Sequence, residues 1–151
     1  MVSAVELLTV SKRAMNILDT ALSRMDREQG CILGCSERLD RIDCVMPIRA
    51  AEASKFFYRP DVTQANCMIR QWAEEGVCFC GFIHSHVTEK RGLSEADMLF
   101  AESMFKSFCM PVMWFGLAVL QEKQKDYFFY LMKERQGNPV IESVDWRIDQ
   151  E

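Results

Sequence analysis

The stretch Val77-Cys-Phe-Cys-Gly-Phe-Ile83, followed at once by His84-Ser-His86, decides how the rest of the chain is read. It is short and almost wholly apolar, the pattern of a strand buried on both faces. Val112-Met-Trp-Phe-Gly-Leu-Ala-Val-Leu120 has the same character, and Lys125-Asp-Tyr-Phe-Phe-Tyr-Leu-Met132 pairs with it across the turn Gln121–Gln124. Upstream, Val5–Val10, Gly30–Cys35 and Arg41–Met46 read as strands, the last two joined by the polar turn Ser36–Asp40, and Val140–Ile148 reads as an added edge strand. Ser11 caps a first helix whose Met15, Ile17, Leu18, Leu22 and Met25 recur at helical spacing. A second helix follows Pro60-Asp61 over Val62–Glu75, with Asp61 or Thr63 as cap and Gly76 as stop. A third opens at Ser94-Glu-Ala-Asp97 and runs to about Ser107. The order β-α-β-β-α-β-α-β-β gives an α/β (α+β) domain, a mixed sheet with helices packed on it.

Composition narrows the function. A chain of 151 residues without repeats or low-complexity segments reads as one domain spanning 1–151. The 18 Lys+Arg against 22 Asp+Glu leave a net charge of −4, which offers no general attraction to nucleic acid phosphate. No apolar run approaches the ~20 residues of a membrane helix. Seven cysteines, with no export signal and no Cys-x-x-Cys pair, point to a reducing, cytoplasmic setting and to buried thiols rather than a redox or zinc-ribbon motif.

The two histidines of the chain stand two apart at the end of a strand. Strand side chains alternate, so both imidazoles point one way and Ser85 the other. Two neutral imidazoles on one face make half of a zinc site, though a pair of strand-end histidines with no such role has the same spacing. Ser94 and Asp97 follow after a loop containing Gly92. Asp97 can bring a hard oxygen ligand toward the two nitrogens, leaving one tetrahedral position for water. Equally, Ser-x-x-Asp before an apolar stretch is a capping box, and the same Asp97 oxygens are not expected to fill both roles.

Taken together, His84-Ser-His86, seven residues, Ser94, two residues, Asp97 resembles the His-x-His-x7-Ser-x2-Asp signature of the JAMM (JAB1/MPN/Mov34) metalloproteases. Glu28-Gln-Gly-Cys-Ile-Leu-Gly34 resembles the glutamate-and-glycine strand of the small prokaryotic JAB domains, as do Phe57-Tyr-Arg-Pro-Asp61 and Gly81-Phe-Ile83. Cys31 and Val87 depart from the usual glycine and proline, at positions that are not ligands in that family. The resemblance covers the chain from its first strand to at least Leu120. It implies an MPN/JAB1-like domain with a curved mixed sheet and about three helices.

The resemblance further implies one catalytic Zn2+ on His84, His86 and Asp97, whose water then has a pKa of about 7. Glu28 becomes the general base, where the local sequence Asp26-Arg-Glu28 alone reads as a solvated helix end. Ser94 is implied to donate to the oxyanion. The implied activity is hydrolysis after the C-terminal glycine of a ubiquitin-like protein or its conjugate. Processing of a sulfur-carrier protein and a non-catalytic MPN scaffold are the alternatives. The exposed loop Thr88, Glu89, Lys90 and Arg91 beside the metal is the candidate substrate contact. A nucleoside deaminase needs Pro-Cys-x-x-Cys, which is missing. Cys78 and Cys80, four or more residues before the histidines, are poor candidates for closing a structural zinc site.

Overall fold

A single residue, Asp43, separates the two ends of the main sheet. The computed structural model describes residues 7–88 and 91–150. Its elements are β1 Leu7–Ser11, α1 Lys12–Ala21, β2 Gly30–Cys35, β3 Arg41–Ile42, β4 Cys44–Ile48, β5 Ala50–Ala53, β6 Tyr58–Pro60, α2 Val62–Glu74, β7 Cys78–His86, α3 Glu95–Phe108, β8 Val112–Gln121, β9 Gln124–Arg135 and β10 Asn138–Asp149. Eight strands form one sheet in the order β3-β1-β10-β9-β8-β7-β2-β4, and β5–β6 form a separate hairpin. The terminal strands β3 and β4 are consecutive in the chain, so the sheet has to curl round until its edges nearly meet. The seam is pinned by polar groups. Asp43 accepts from the Ser36 backbone N–H at 2.9 Å and from the Ser36 hydroxyl, and Arg41 reaches both Asp43 at 3.3 Å and Asp149 of β10 at 3.1 Å.

Closure explains two departures from the sequence reading. Arg41–Met46 is not one strand. It breaks at Asp43 into β3, which pairs with β1, and β4, which pairs with β2. Nor is β10 an edge, since it lies parallel to β1 and antiparallel to β9. Its exposed Asp145 and Arg147 give it the look of an edge, but a nearly closed sheet leaves few edges to occupy. Val5 and Glu6, expected in the first strand, lie outside the described residues. The hairpin β5–β6 was not expected, because Ala50-Ala-Glu-Ala53 has little of the β-branched or aromatic content that marks a strand.

Helices cover both faces of the sheet. On one, Ala14, Met15 and Leu18 of α1 pack with Leu8, Val10, Cys31, Leu33, Ile83, Trp114 and Phe129. On the other, Ala65 and Trp72 of α2 and Ala101 and Phe105 of α3 pack with Ile32, Phe79, Phe82, Met113 and Phe115. Strand β8 serves both layers, Trp114 entering the first and Met113 and Phe115 the second. This is why its sequence is continuously apolar. The helix caps follow the sequence: Ser11 Oγ accepts from the Ala14 N–H, Asp61 from Gln64, and Gly76 ends α2 at φ +81°. Met25 lies past the end of α1 and is exposed. Among the described residues no helix is long and apolar enough to cross a membrane.

Strand β7 runs parallel to β8 and antiparallel to β2. Its register with β2 passes from Leu33↔Gly81 to Gly34↔Phe79, leaving Cys80 as an extra residue, a β-bulge. Gly81 admits the close approach of β8, for a Cβ there would stand 1.9 Å from the Trp114 carbonyl oxygen.

Gly81→Ala therefore forces the two strands apart, and chemical unfolding should show a loss at or above the upper end of the roughly 1–3 kcal/mol that overpacking costs. The cysteines offer an independent check of the layers. Cys67, Cys78 and Cys109 are exposed, whereas Cys31, Cys35 and Cys80 are buried, and burial pushes the Cys31 thiol up to about 12. A thiol titration of the native protein should find the exposed three fast and the buried three reactive only after unfolding.

Candidate metal centre

The end of β7 delivers the two histidines. His84 and His86 share the face that looks toward α3, and their Nε2 atoms stand 3.1 Å apart. The first turn of α3 supplies the third group. Asp97 Oδ1 lies 3.1 Å from His84 Nε2, and Oδ2 lies 3.1 Å from His86 Nε2. A tetrahedral zinc with arms of 2.0–2.1 Å requires ligand atoms about 3.3 Å apart. Nitrogen and oxygen donors facing one another at nearly that spacing suit a single divalent ion of the zinc type. His86 is buried, while His84 and Asp97 keep a side open.

Glu28 stands just before β2, where Gly30 pairs with His84. It is buried at 5% exposure, which overturns the local reading of Asp26-Arg-Glu28 as a solvated end. One of its carboxylate oxygens and one ring nitrogen each from His84 and His86 lie within 4.8 Å of one another. Burial raises the Glu28 carboxyl to about 6; the two imidazoles oppose that rise and the Asp97 charge adds to it. Asp97 goes the other way. Burial would raise it, but hydrogen bonds with His84 and His86, the charge of His84 and the Ser94 amide outweigh that and hold it well below the usual carboxylate range. Two carboxylates at one site with opposite shifts are suited to different work.

The capping box and the candidate ligand fall on the same residue. Ser94 Oγ accepts from the Asp97 N–H at 3.0 Å, and Asp97 Oδ2 accepts from the Ser94 N–H at 2.8 Å while facing His86. The expectation that one set of oxygens could not fill both roles is thus corrected. A carboxylate oxygen has two lone pairs, and the cap uses one of them. The cap also fixes the rotamer of Asp97, so the ligand is held in place by the helix start itself.

Tyr58 was not singled out from the sequence. It lies on β6 with its ring parallel to that of His84 at 6.5 Å and its hydroxyl donating to the Ile48 carbonyl at 3.0 Å. A Cβ at Gly30 would meet that ring at 2.5 Å, so the glycine makes room for the tyrosine. Phe56, Phe57, Tyr58, Phe82 and Phe100 line a narrow crevice of about 70 Å³ that opens on His84, Ser94 and Asp97. A larger depression of about 640 Å³ lies outside α1 between Ile17, Ala21 and Pro47 and holds none of these residues.

In the loop Thr88–Arg91, Glu89 and Lys90 fall outside the described residues. Arg91 is held by Asp126 of β9 at 2.6 Å and lies over the Phe128 ring. Cys78 is exposed, and the Cys80 thiol meets Cys35 in the α1 layer, so neither joins the centre.

No protein-family model and no curated protein matches the sequence. Among solved structures, the solution structure of protein DSY2949 from Desulfitobacterium hafniense is similar, with a TM-score of 0.73 at 17% identity over 95% of this chain and 94% of that one. That likeness carries the fold. The centre rests on its own residues: His84, His86 and Asp97, with Glu28 nearby, lie together in the fold and are spaced like the JAMM/MPN+ zinc-protease motif.

Proposed function

We propose that this protein is a zinc-dependent peptidase or isopeptidase that hydrolyses the bond after the C-terminal glycine of a ubiquitin-like protein. The observation that carries the reading is the buried Glu28 carboxylate lying within 4.8 Å of both imidazoles of a ready-made His-His-Asp set. His84, His86 and Asp97 would hold the ion. The ion, when bound, supplies Lewis acidity and a water acidic enough to lose its proton near neutral pH. Glu28, within 4.8 Å of both imidazoles, would take a proton from the attacking water and return it to the leaving amine. Ser94 sits at the rim of the crevice and donates its hydroxyl to the oxygen that gains charge as the carbonyl is attacked.

The substrate class rests on the resemblance to JAMM enzymes and is supported by the crevice. Its aromatic walls leave about 70 Å³ beside His84 and Asp97, room for a chain without side chains next to the scissile bond. An extended glycine tail fits such a slot.

Metal analysis of the purified protein should give one zinc per chain, lost in His84→Ala and His86→Ala. Asp97→Asn separates cap from ligand. Its amide oxygen can still cap α3, so the melting transition should stay near that of wild type while zinc affinity falls. A protein without stoichiometric zinc at neutral pH would refute the centre.

Turnover is read on a ubiquitin-like protein joined through its terminal glycine to a fluorescent amine. Glu28→Gln should retain zinc and lose roughly 10²–10⁴-fold in kcat, and Ser94→Ala roughly 10²–10³-fold. A chelator should abolish activity that thiol blocking leaves largely intact. Full activity in Glu28→Gln would remove Glu28 from the mechanism.

A further inference from the structure

Ser85 is fully buried and lies on the face of β7 opposite the imidazoles. Its side chain points away from both imidazoles, and it does not line the crevice. Its bonds run to the residue after Glu28. Gly30 pairs with His84 in the antiparallel β2–β7 ladder, and the next step brings Gln29 opposite Ser85. A regular hydrogen-bonded pair exchanges two backbone bonds. Here the Ser85 N–H donates to the Gln29 carbonyl at 2.8 Å, but the return bond runs from the Gln29 N–H to Ser85 Oγ at 2.9 Å. The hydroxyl stands where a carbonyl would accept, and it donates in turn toward the Gln29 carbonyl at 3.4 Å.

The same two residues are tied on other sides. The Glu28 N–H donates to the Ser54 carbonyl at 2.8 Å, in the turn of the β5–β6 hairpin. Gln29 Oε1 accepts from the Ser23 and Arg24 N–H groups at 3.1 and 2.8 Å, just past α1. Those ties fix Glu28 to its own neighbourhood. The Ser85 hydroxyl fixes it to the strand that carries the histidines.

We propose that Ser85 is a positioning residue: its hydroxyl locks the Gln29 backbone to β7 and so sets the distance of the Glu28 carboxylate from the His84–His86 pair. This role rests on the reading of Glu28 as general base. Misplacing a reacting group by about 1 Å can lower a rate about 10²-fold. In the zinc-loaded full chain, Ser85→Ala is expected to keep one zinc and to lower kcat about 10–100-fold on the fluorescent ubiquitin-like substrate with KM unchanged, and Ser85→Thr to restore most of it. In a Glu28→Gln background, adding Ser85→Ala should lower kcat by less than about twofold. Equal losses in both backgrounds, or full turnover in Ser85→Ala, would overturn the role. A second readout needs no substrate. With cobalt(II) in place of zinc, Ser85→Ala and Glu28→Gln should each shift the visible absorption bands, and the double variant should show the Glu28→Gln spectrum; additive shifts would overturn the role. If wild type cleaves no ubiquitin-like substrate, the substrate reading falls while the cobalt spectra still decide Ser85. Should Ser85→Ala fail to fold, Ser85→Cys, similar in size with a far weaker acceptor, is read in its place with the same expectations.

Discussion

The extra residue in β7 sets the phase of the whole centre. Side chains alternate along a strand, so without a bulge His84 and His86, five and seven residues after Phe79, would face away from it, into the layer beneath α1. Cys80 shifts the alternation by one. Phe79 and Phe82 then both enter the α2/α3 layer, and the histidines follow Phe82 onto the face where Asp97 waits. Gly81 lets β8 come close at this point, and the Gly30↔His84 pairing brings Glu28 alongside. The placing of His84 and His86 against Asp97 and Glu28 thus depends on one local irregularity in one interior strand.

The helix start solves a problem that such a centre poses. Three donors with lone pairs pointing inward repel one another unless a cation or protons intervene, so each must be held by something outside the centre. For Asp97 the holder is its own helix: the Ser94 N–H occupies one lone pair of Oδ2, and the N-terminal end of α3 favours the negative charge. For His84 it is the parallel ring of Tyr58, itself fixed by its bond to Ile48. For Glu28 the backbone is fixed on both sides. The aromatic side chains that line the crevice border His84 and Asp97 with low-dielectric groups, which strengthens the charge interactions there.

What the sequence discloses about this arrangement is whatever is local. The buried strands β7 and β8 are legible from unbroken apolar runs, α2 from Asp61 and Gly76, and α3 from Ser94 and Asp97. The shared face of His84 and His86 is legible from the strand period, and their link to Asp97 from the spacing that resembles the JAMM signature. Long-range pairing is not. Arg41–Met46 reads as one strand because nothing in six residues says that Asp43 divides opposite ends of a sheet. β10 reads as an edge because closure is a property of all eight strands. Glu28 looks solvated beside Asp26 and Arg27, and only the register of β2 against β7 buries it. Tyr58 escapes notice because its partner His84 lies 26 positions away on another element.

The two apolar layers bear on what kind of metal site this is. A structural zinc supplies the folding energy of a small domain that lacks a core. Here α1 on one face and α2 with α3 on the other each bury their own cluster, and Trp114, Phe129, Leu18 and Ile32 are almost wholly inaccessible without any contribution from the centre. The centre lies at the end of β7, drawing on the head of one strand, the tail of another and the first turn of a helix. Its side chains converge beside a crevice, with the Glu28 carboxylate within 4.8 Å of both imidazoles, while the Cys80 thiol is turned to Cys35 in the other layer. A centre set at a strand end beside a crevice, outside both apolar clusters, is placed for chemistry rather than for holding the fold together.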